Sequence, residues 1–286
     1  MRGLILSAIA ITALAGCRDG VGPQPGSNVG LGFQLAHPTA AASSALAASV
    51  SGDGTPIVGV PPVVTPSAAG LQISRDDDVI VITKAQLVVR DVKLRNALAT
   101  CDDDDDDNNE SAALFDGRGD DRSRHDDDDD CPVMRLGPFL VQLPVNGTDG
   151  ARVSVPVPAG TYSSVRLTLH KVTSNDSADA VFRQSNPDFR DISVRLEGTY
   201  NSVPFVFVHD INAKLTVPLT DPLVIGASGD EVTVTIDLGM WFVRPQGGLY
   251  GPALANTPGS VRAVVASNIR RAFRAFRDRN RDGRED

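Results

Sequence analysis

A mainly β chain folded as an antiparallel β-sandwich is the fold class this sequence predicts, on three observations. Apolar residues recur at every second position in about eight short segments, the mark of strands with one buried and one wet face. Gly, Pro, Asn and Asp punctuate the gaps between them, as turns require. Helical spacing is sustained in only one stretch, near the C-terminus. Two packed sheets would bury their apolar faces in one core, assigned to residues 71–245.

The chain opens on a different kind of segment. Arg2 is basic, and residues 4–14 are apolar except for Ser7 and Thr12. The run is shorter than the roughly 20 apolar residues that cross a bilayer. It has the length of a signal-peptide core, and small residues follow it, as a cleavage site requires. Leu14-Ala15-Gly16-Cys17 ends it and resembles the lipobox of bacterial lipoproteins. That resemblance implies a signal peptide over 1–16, cleavage before Cys17, and a diacylglycerol on the Cys17 thiol. An ordinary secretory signal with a chance cysteine is the alternative. Several acyl chains anchor a protein nearly permanently, at about 0.8 kcal/mol per buried methylene. The bilayer is therefore an expected partner and the bacterial cell envelope the expected location. No other apolar stretch approaches spanning length.

Residues 17–70 read as the lipidated cysteine and a tether. They are rich in Gly, Pro, Ala and Ser, with few charges. As a flexible coil, the 53 residues from 18 to 70 would hold the domain about 40 Å from the membrane.

The strand segments follow. Residues 79–94 are rich in β-branched side chains and long enough for one bent strand or two. Phe139, Val141 and Leu143 alternate with polar neighbours, as do Val153, Val155 and Val157. Val165, Leu167 and Leu169 come next, then Ile192, Val194 and Leu196. Phe205 and Phe207, then Leu215, Val217 and Leu219, then Val232, Val234, Ile236 and Leu238 complete the set. Two segments are preceded or ended by the same words, Gly160-Thr161-Tyr162 and Gly198-Thr199-Tyr200. These mark either related hairpins or similar turn chemistry, with the Tyr ring covering the end of the core.

One insertion interrupts the strands. Between Cys101 and Cys131 stand fourteen Asp and one Glu against three Arg. The chain carries a formal net charge of −9, so the rest of it is slightly basic. The runs 102–107 and 126–130 repel themselves and bury little. Residues 102–130 therefore read as a solvated acidic insertion, or as a low-affinity cation sponge. Cys101 and Cys131 are an even pair in an exported chain, which reads as a disulfide at the base of this loop. Closing it is worth roughly 3–4 kcal/mol in the chain-entropy model.

Ile82-Thr83-Lys84-Ala85 through Arg90-Asp91-Val92, Pro158-Ala159-Gly160-Thr161-Tyr162, the strand 232–238 and the tail 278–283 together resemble an uncharacterised family of bacterial surface lipoproteins. The resemblance covers most of residues 79–286. It implies an immunoglobulin-like or transthyretin-like sandwich and an envelope location. It implies no activity, and the acidic insertion departs from its pattern.

Residues 259–277 predict a C-terminal amphipathic helix. Ser260 is a candidate N-cap. Val261, Val264, Val265, Ile269, Ala272, Phe273 and Phe276 share one stripe. The arginines 270, 271, 274 and 277 lie mostly away from it. The helix either packs on the sheet or lies on a membrane or partner. After it, Asp278, Asn280 and Asp282, followed by Gly283, resemble the first half of an EF-hand calcium loop. Arg284 would add a backbone carbonyl, and Asp286 would act directly or through water. The twelfth-position Glu is missing because the sequence stops at the ninth.

Enzymatic groupings are scarce. The four histidines are His37, His125, His170 and His209. They form no His-x-x-x-His motif, and neither a Gly-x-Ser-x-Gly elbow nor a phosphate loop is present. The acidic insertion and export disfavour nucleic acid. Three readings result. The first is a lipid-anchored, non-enzymatic binding or structural module with a protein or glycan partner. The second is a calcium-handling lipoprotein. The third is a hydrolase built from scattered residues.

Overall fold

The computed structural model describes residues 27–36, 61–96, 137–146, 151–157, 160–225, 231–278 and 284–285. Among them, twelve strands join in one sheet. They are β1 (Ser27–Leu35), β2 (Val63–Ser67), β3 (Gly70–Arg75), β4 (Asp78–Asn96), β5 (Phe139–Leu143) and β6 (Ala151–Val157). After these come β7 (Gly160–Leu169), β8 (Val194–Tyr200), β9 (Val203–His209), β10 (Ala213–Ile225), β11 (Glu231–Ile236) and β12 (Phe273–Arg277). Two helices, α1 (Ser177–Ser185) and α2 (Ser260–Arg271), accompany them. The sheet runs β2-β3-β4-β7-β10-β12-β11-β1-β6, with β5 and β8 also on β4, and β9 outside β8.

The 19-residue strand β4 turns this sheet back on itself. Its first half pairs β3 on one edge and β8 on the other. Further along, β5 replaces β3 from Ala85, and β7 replaces β8 from Val89. The register slips against β8 between Ile82 and Lys84, and against β7 between Arg90 and Lys93. Asp91 there holds a left-handed φ of 52°. Bulges bend and twist a strand, so β4 carries the sheet round a corner. The core lies inside the curl. Ile80, Ile82, Leu87 and Val89 from β4 join Leu31 and Phe33 of β1 and Val234 of β11, all nearly inaccessible. Phe33 meets Phe139 of β5 edge-on at 6.1 Å, closing the two arms on each other.

The mainly β expectation and the strand segments agree with this structure. The finer architecture differs. The sheet is mixed: β1 runs parallel to β11, and β10 parallel to β12. Period-two alternation reports a half-buried strand, but it does not distinguish the direction of its neighbour.

The tether over 17–70 is corrected as well. Residues 27–35 are a strand between β11 and β6, and residues 63–67 form β2 on the sheet's edge. Val29, Leu31, Phe33 and Leu35 alternate, but Gly30 and Gly32 between them give the segment a linker's composition. The space there is tight: a Cβ at Gly30 would stand 3.3 Å from the Glu231 side chain, and one at Gly32 would stand 3.2 Å from Thr233 Oγ1, so a larger residue would press on both neighbours.

The helix expected over 259–277 ends at Arg271, and 273–277 is β12. Phe273 and Ala275 face inward with Arg274 outward, a period of two that a helical stripe also tolerates over so short a run. Gly259, not Ser260, occupies the N-cap. The folded unit therefore extends past 245. The helix α2 buries Val265, Ala266 and Ile269 in the core, and Asn268 Nδ2 donates to the carbonyls of Trp241 (3.2 Å) and Val243 (3.1 Å). The helix is thus packed on the sheet, with Arg270 and Arg271 exposed at its end, where they complement the dipole. Helix α1 had no counterpart in the periodicity. Asp176 caps it, accepting from Ala178 N at 2.7 Å.

Candidate functional site

The bulge at Asp91 and Val92 determines which β4 side chains share a face. Residues directly opposite in an antiparallel pair point the same way. Arg90 lies opposite Thr168, Lys93 opposite Arg166, and Arg95 opposite Ser164. Beyond β7, Lys214 lies opposite Thr168, Thr216 opposite Arg166, and Pro218 opposite Ser164. In an unbroken strand Arg90 and Lys93, three apart, would point to opposite faces. Two β4 residues set against Leu167 restore them to one side. The outer face of β4, β7 and β10 is then a three-by-three block of five basic side chains, three hydroxyls and one proline, with the Ser164 hydroxyl buried. Beneath it Val89, Leu94, Val165, Leu167, Leu215 and Val217 fill the core.

The cations of this block have uneven partners. Arg90 is bound to Asp176 at 2.6 Å and lies 3.5 Å from Asp91. The hydrogen bond from Arg90 holds the Asp176 carboxyl below the usual range, and Asp176 in turn raises Arg90. Of the four lysines, Lys84 sits 3.4 Å from Glu197 and Lys171 sits 3.6 Å from Asp210. Among the described residues, Lys93 and Lys214 have no such carboxylate. The outer face of β4 and β8 is a useful contrast. There Glu197 takes both Lys84 and Arg195. Burial opposes its ionisation, but hydrogen bonds and attraction from those two cations bring its carboxyl below the usual range.

Two other polar clusters serve the fold. Asp179, fully buried in the first turn of α1, accepts from His170 Nε2 at 2.7 Å and from Thr173 N at 2.6 Å. The Thr173 hydroxyl bonds the same carboxylate at 3.2 Å rather than the imidazole. This dyad ties the end of β7 to α1. At the β3–β4 turn, Asp78 accepts from the Tyr200 hydroxyl and from Leu249 N. It holds the loop around Gly247 and Gly248 against the sheet. The two Gly-Thr-Tyr phrases thus play different parts. Tyr162 is buried at the start of β7. Tyr200 ends β8 before the two-residue turn Asn201-Ser202, where both φ angles are positive, the signature of a tight hairpin.

The expected site residues divide by place. Cys17, Cys101, Cys131, Asn280, Asp282 and Asp286 lie outside the described residues. Arg284 is exposed. Asp278, the first expected calcium ligand, is buried beside β11: its Oδ2 accepts from Thr233 Oγ1 at 2.8 Å and its N–H donates to the Glu231 carbonyl at 3.0 Å. Among the described residues, no three His, Cys, Asp or Glu side chains stand close enough to share a metal ion. No helix there is long and apolar enough to cross a membrane. The basic block went unread in the sequence. Its only trace is Arg90-Asp91-Val92-Lys93-Leu94-Arg95, whose cations do not alternate cleanly until the bulge is known. In comparisons with known proteins, no family model, curated protein or solved structure matches this chain.

Proposed function

We propose that this is an exported, lipid-anchored, non-enzymatic protein of the bacterial envelope that binds a polyanion through the outer face of β4, β7 and β10. The observation that carries the reading is the block of Arg90, Lys93, Arg95, Arg166 and Lys214 interleaved with Thr168 and Thr216. Cations among hydroxyl donors suit phosphate, sulfate or carboxylate groups. The block holds no aromatic residue, so it lacks the buried anchors that dominate protein interfaces. The lipid anchor rests on the Leu14-Ala15-Gly16-Cys17 motif.

Retention on immobilised polyphosphate tests the binding. It is measured on the full chain with Cys17→Ser and on the same chain lacking 102–130, each checked for a cooperative melt. We expect retention at low salt, and about tenfold weaker binding in the double variant Lys93→Glu/Arg166→Glu, from two surface charges at roughly 0.5–1 kcal/mol each. No retention of either form, or retention indifferent to the double variant, overturns the reading. For the anchor, a radiolabelled fatty acid should enter the wild-type chain but not Cys17→Ala.

A further inference from the structure

We propose that His209 is the sensor of an acid-operated latch on the outer edge of β9. Its protonation draws Asp210 away from Arg262 and detaches the turn Pro252–Asn256 and the start of α2 from that edge. The inference is independent of the anion-binding reading.

The latch is a small polar seam. Asn256 ends the 3-10 turn Pro252–Asn256. Its amide takes the place of a neighbouring strand, donating to the Val206 carbonyl at 2.8 Å and accepting from Val208 N at 2.9 Å. Arg262, in the first turn of α2, holds the rest. Its Nη1 donates to the carbonyls of Val208 at 3.1 Å, Ala255 at 2.9 Å and Asn256 at 3.4 Å. Its Nη2 donates to Asp210 Oδ1. One guanidinium thus joins strand, turn and helix. The turn is lightly held otherwise, with Pro252 and Ala255 buried and Leu254 60% exposed. Openings that break so few contacts cost less than unfolding the whole domain.

The sensor sits beside that guanidinium. The His209 ring is buried, and among the described residues neither of its nitrogens has a hydrogen-bond partner. Nδ1 lies 3.5 Å from Asp210 Oδ1, the oxygen that Arg262 already holds. Lys171 Nζ stands 3.6 Å from the other carboxylate oxygen. One carboxylate therefore serves two cations, and a protonated imidazole would be a third. Burial and the Arg262 and Arg270 guanidiniums resist that charge, while the Arg262 backbone and Asp210 favour it. Resistance wins in the closed form and holds the ring at about 4. Once the turn and helix move aside, the ring meets water and titrates near 6.5. Acid therefore favours the open form, in which the imidazolium has Asp210 and Arg262 is solvated. The freed groups are the Val206 carbonyl and both backbone groups of Val208.

Residue-resolved amide hydrogen exchange on the full chain with Cys17→Ser tests this, at pH 7 and pH 4.5. Burial opposes ionisation of Asp210, but the hydrogen bond from Arg262 keeps its carboxyl below the usual range. It therefore stays ionised at both values. With His209 at about 4 closed and about 6.5 open, protection of the Val208 amide should fall roughly fifty-fold from pH 7 to pH 4.5. Exchange there should be indifferent to dilute urea, as a local opening is, with Val234 in the core better protected at both values. In His209→Phe, checked for a cooperative melt at pH 7, the fall should nearly vanish. A second variant, Asp210→Asn, changes a side chain 44% exposed and should lower Val208 protection about threefold at pH 7. Val208 protection that is the same at both pH values overturns the proposal. So does an equal fall in His209→Phe, unchanged protection in Asp210→Asn, or a fall that Val234 shares with the same urea dependence, which would be unfolding of the whole molecule.

Discussion

At the scale of single residues, His209 is the side chain whose environment makes the sharpest statement. It lies in β9 with 6% of its surface exposed, its ring 6.0 Å from that of Phe207. Among the described residues, neither ring nitrogen has a hydrogen-bond partner, and Asp210 Oδ1 stands 3.5 Å from Nδ1. Burial, helped by the nearby Arg262 guanidinium, lowers its pKa to about 4. An unfolded histidine titrates near 6.5. Between those values the unfolded chain takes up a proton that the folded chain refuses. The stabilisation is complete above about pH 6.5 and is lost as pH falls towards 4, on the order of 3 kcal/mol in all. His209→Phe keeps an apolar ring beside Phe207 and removes the titration. We expect the wild-type melting temperature to fall between pH 7 and pH 4.5 and the variant's to fall much less. Equal falls would remove His209 from the account. The sequence places His209 before a turn and no more than that. Its surroundings depend on Arg262 beside it and on Phe242, which packs edge-on against the neighbouring Phe207, both arriving from more than thirty residues away.

At the scale of elements, the same distinction between local and distant causes separates what was legible from what was not. The segments from β4 to β11 were readable because each alternates on its own. Strand β1 was not, because its glycines answer to Glu231 and Thr233 on a neighbour two hundred residues later. The basic block was hidden for a related reason: one bulge at Asp91 re-aims Arg90 relative to Lys93, and only pairing with β7 reveals it. Strand β9 shows how an element is finished by distant residues. Among the described strands it has β8 on one side only, and an open edge invites pairing with another chain. Asn256 closes it, donating from Nδ2 to the Val206 carbonyl at 2.8 Å and accepting at Oδ1 from Val208 N at 2.9 Å. Arg262 donates to the Val208 carbonyl at 3.1 Å. Pro204, two residues before Val206 on the same edge, has no N–H to offer. Asn256→Ala should cost about 1 kcal/mol and shift the protein towards dimers or larger species in size-exclusion chromatography. A variant that stays monomeric with an unchanged melt would show that the edge is protected by Arg262 and Pro204 alone.

At the scale of the whole molecule, β1 changes what the N-terminal region does. Read as a tether, residues 18–70 would let a domain range far from its anchor. In the structure β1 lies inside the sheet, hydrogen-bonded on both sides. Only residues 18–26 separate Cys17 from Ser27, a span of at most about 36 Å when fully extended. If the thiol is lipidated, the curled sheet is held close to the bilayer and not at the end of a long leash. The same strand bears on stability. Val29, Leu31, Phe33 and Leu35 are all 7% exposed or less. At roughly 1.5–3 kcal/mol for each buried side chain, their removal takes away about as much as the 5–15 kcal/mol by which domains are usually stable. A chain beginning at residue 61 should therefore show no cooperative melt, and β6, which among the described strands pairs only with β1, should lose its protection from hydrogen exchange. Phe33→Ala in the full chain tests the same point more gently. It removes the edge contact with Phe139 and should cost about 3–5 kcal/mol. A shortened chain that melts at the temperature of the full one would return residues 27–35 to the role of a tether, and with it the long standoff from the membrane.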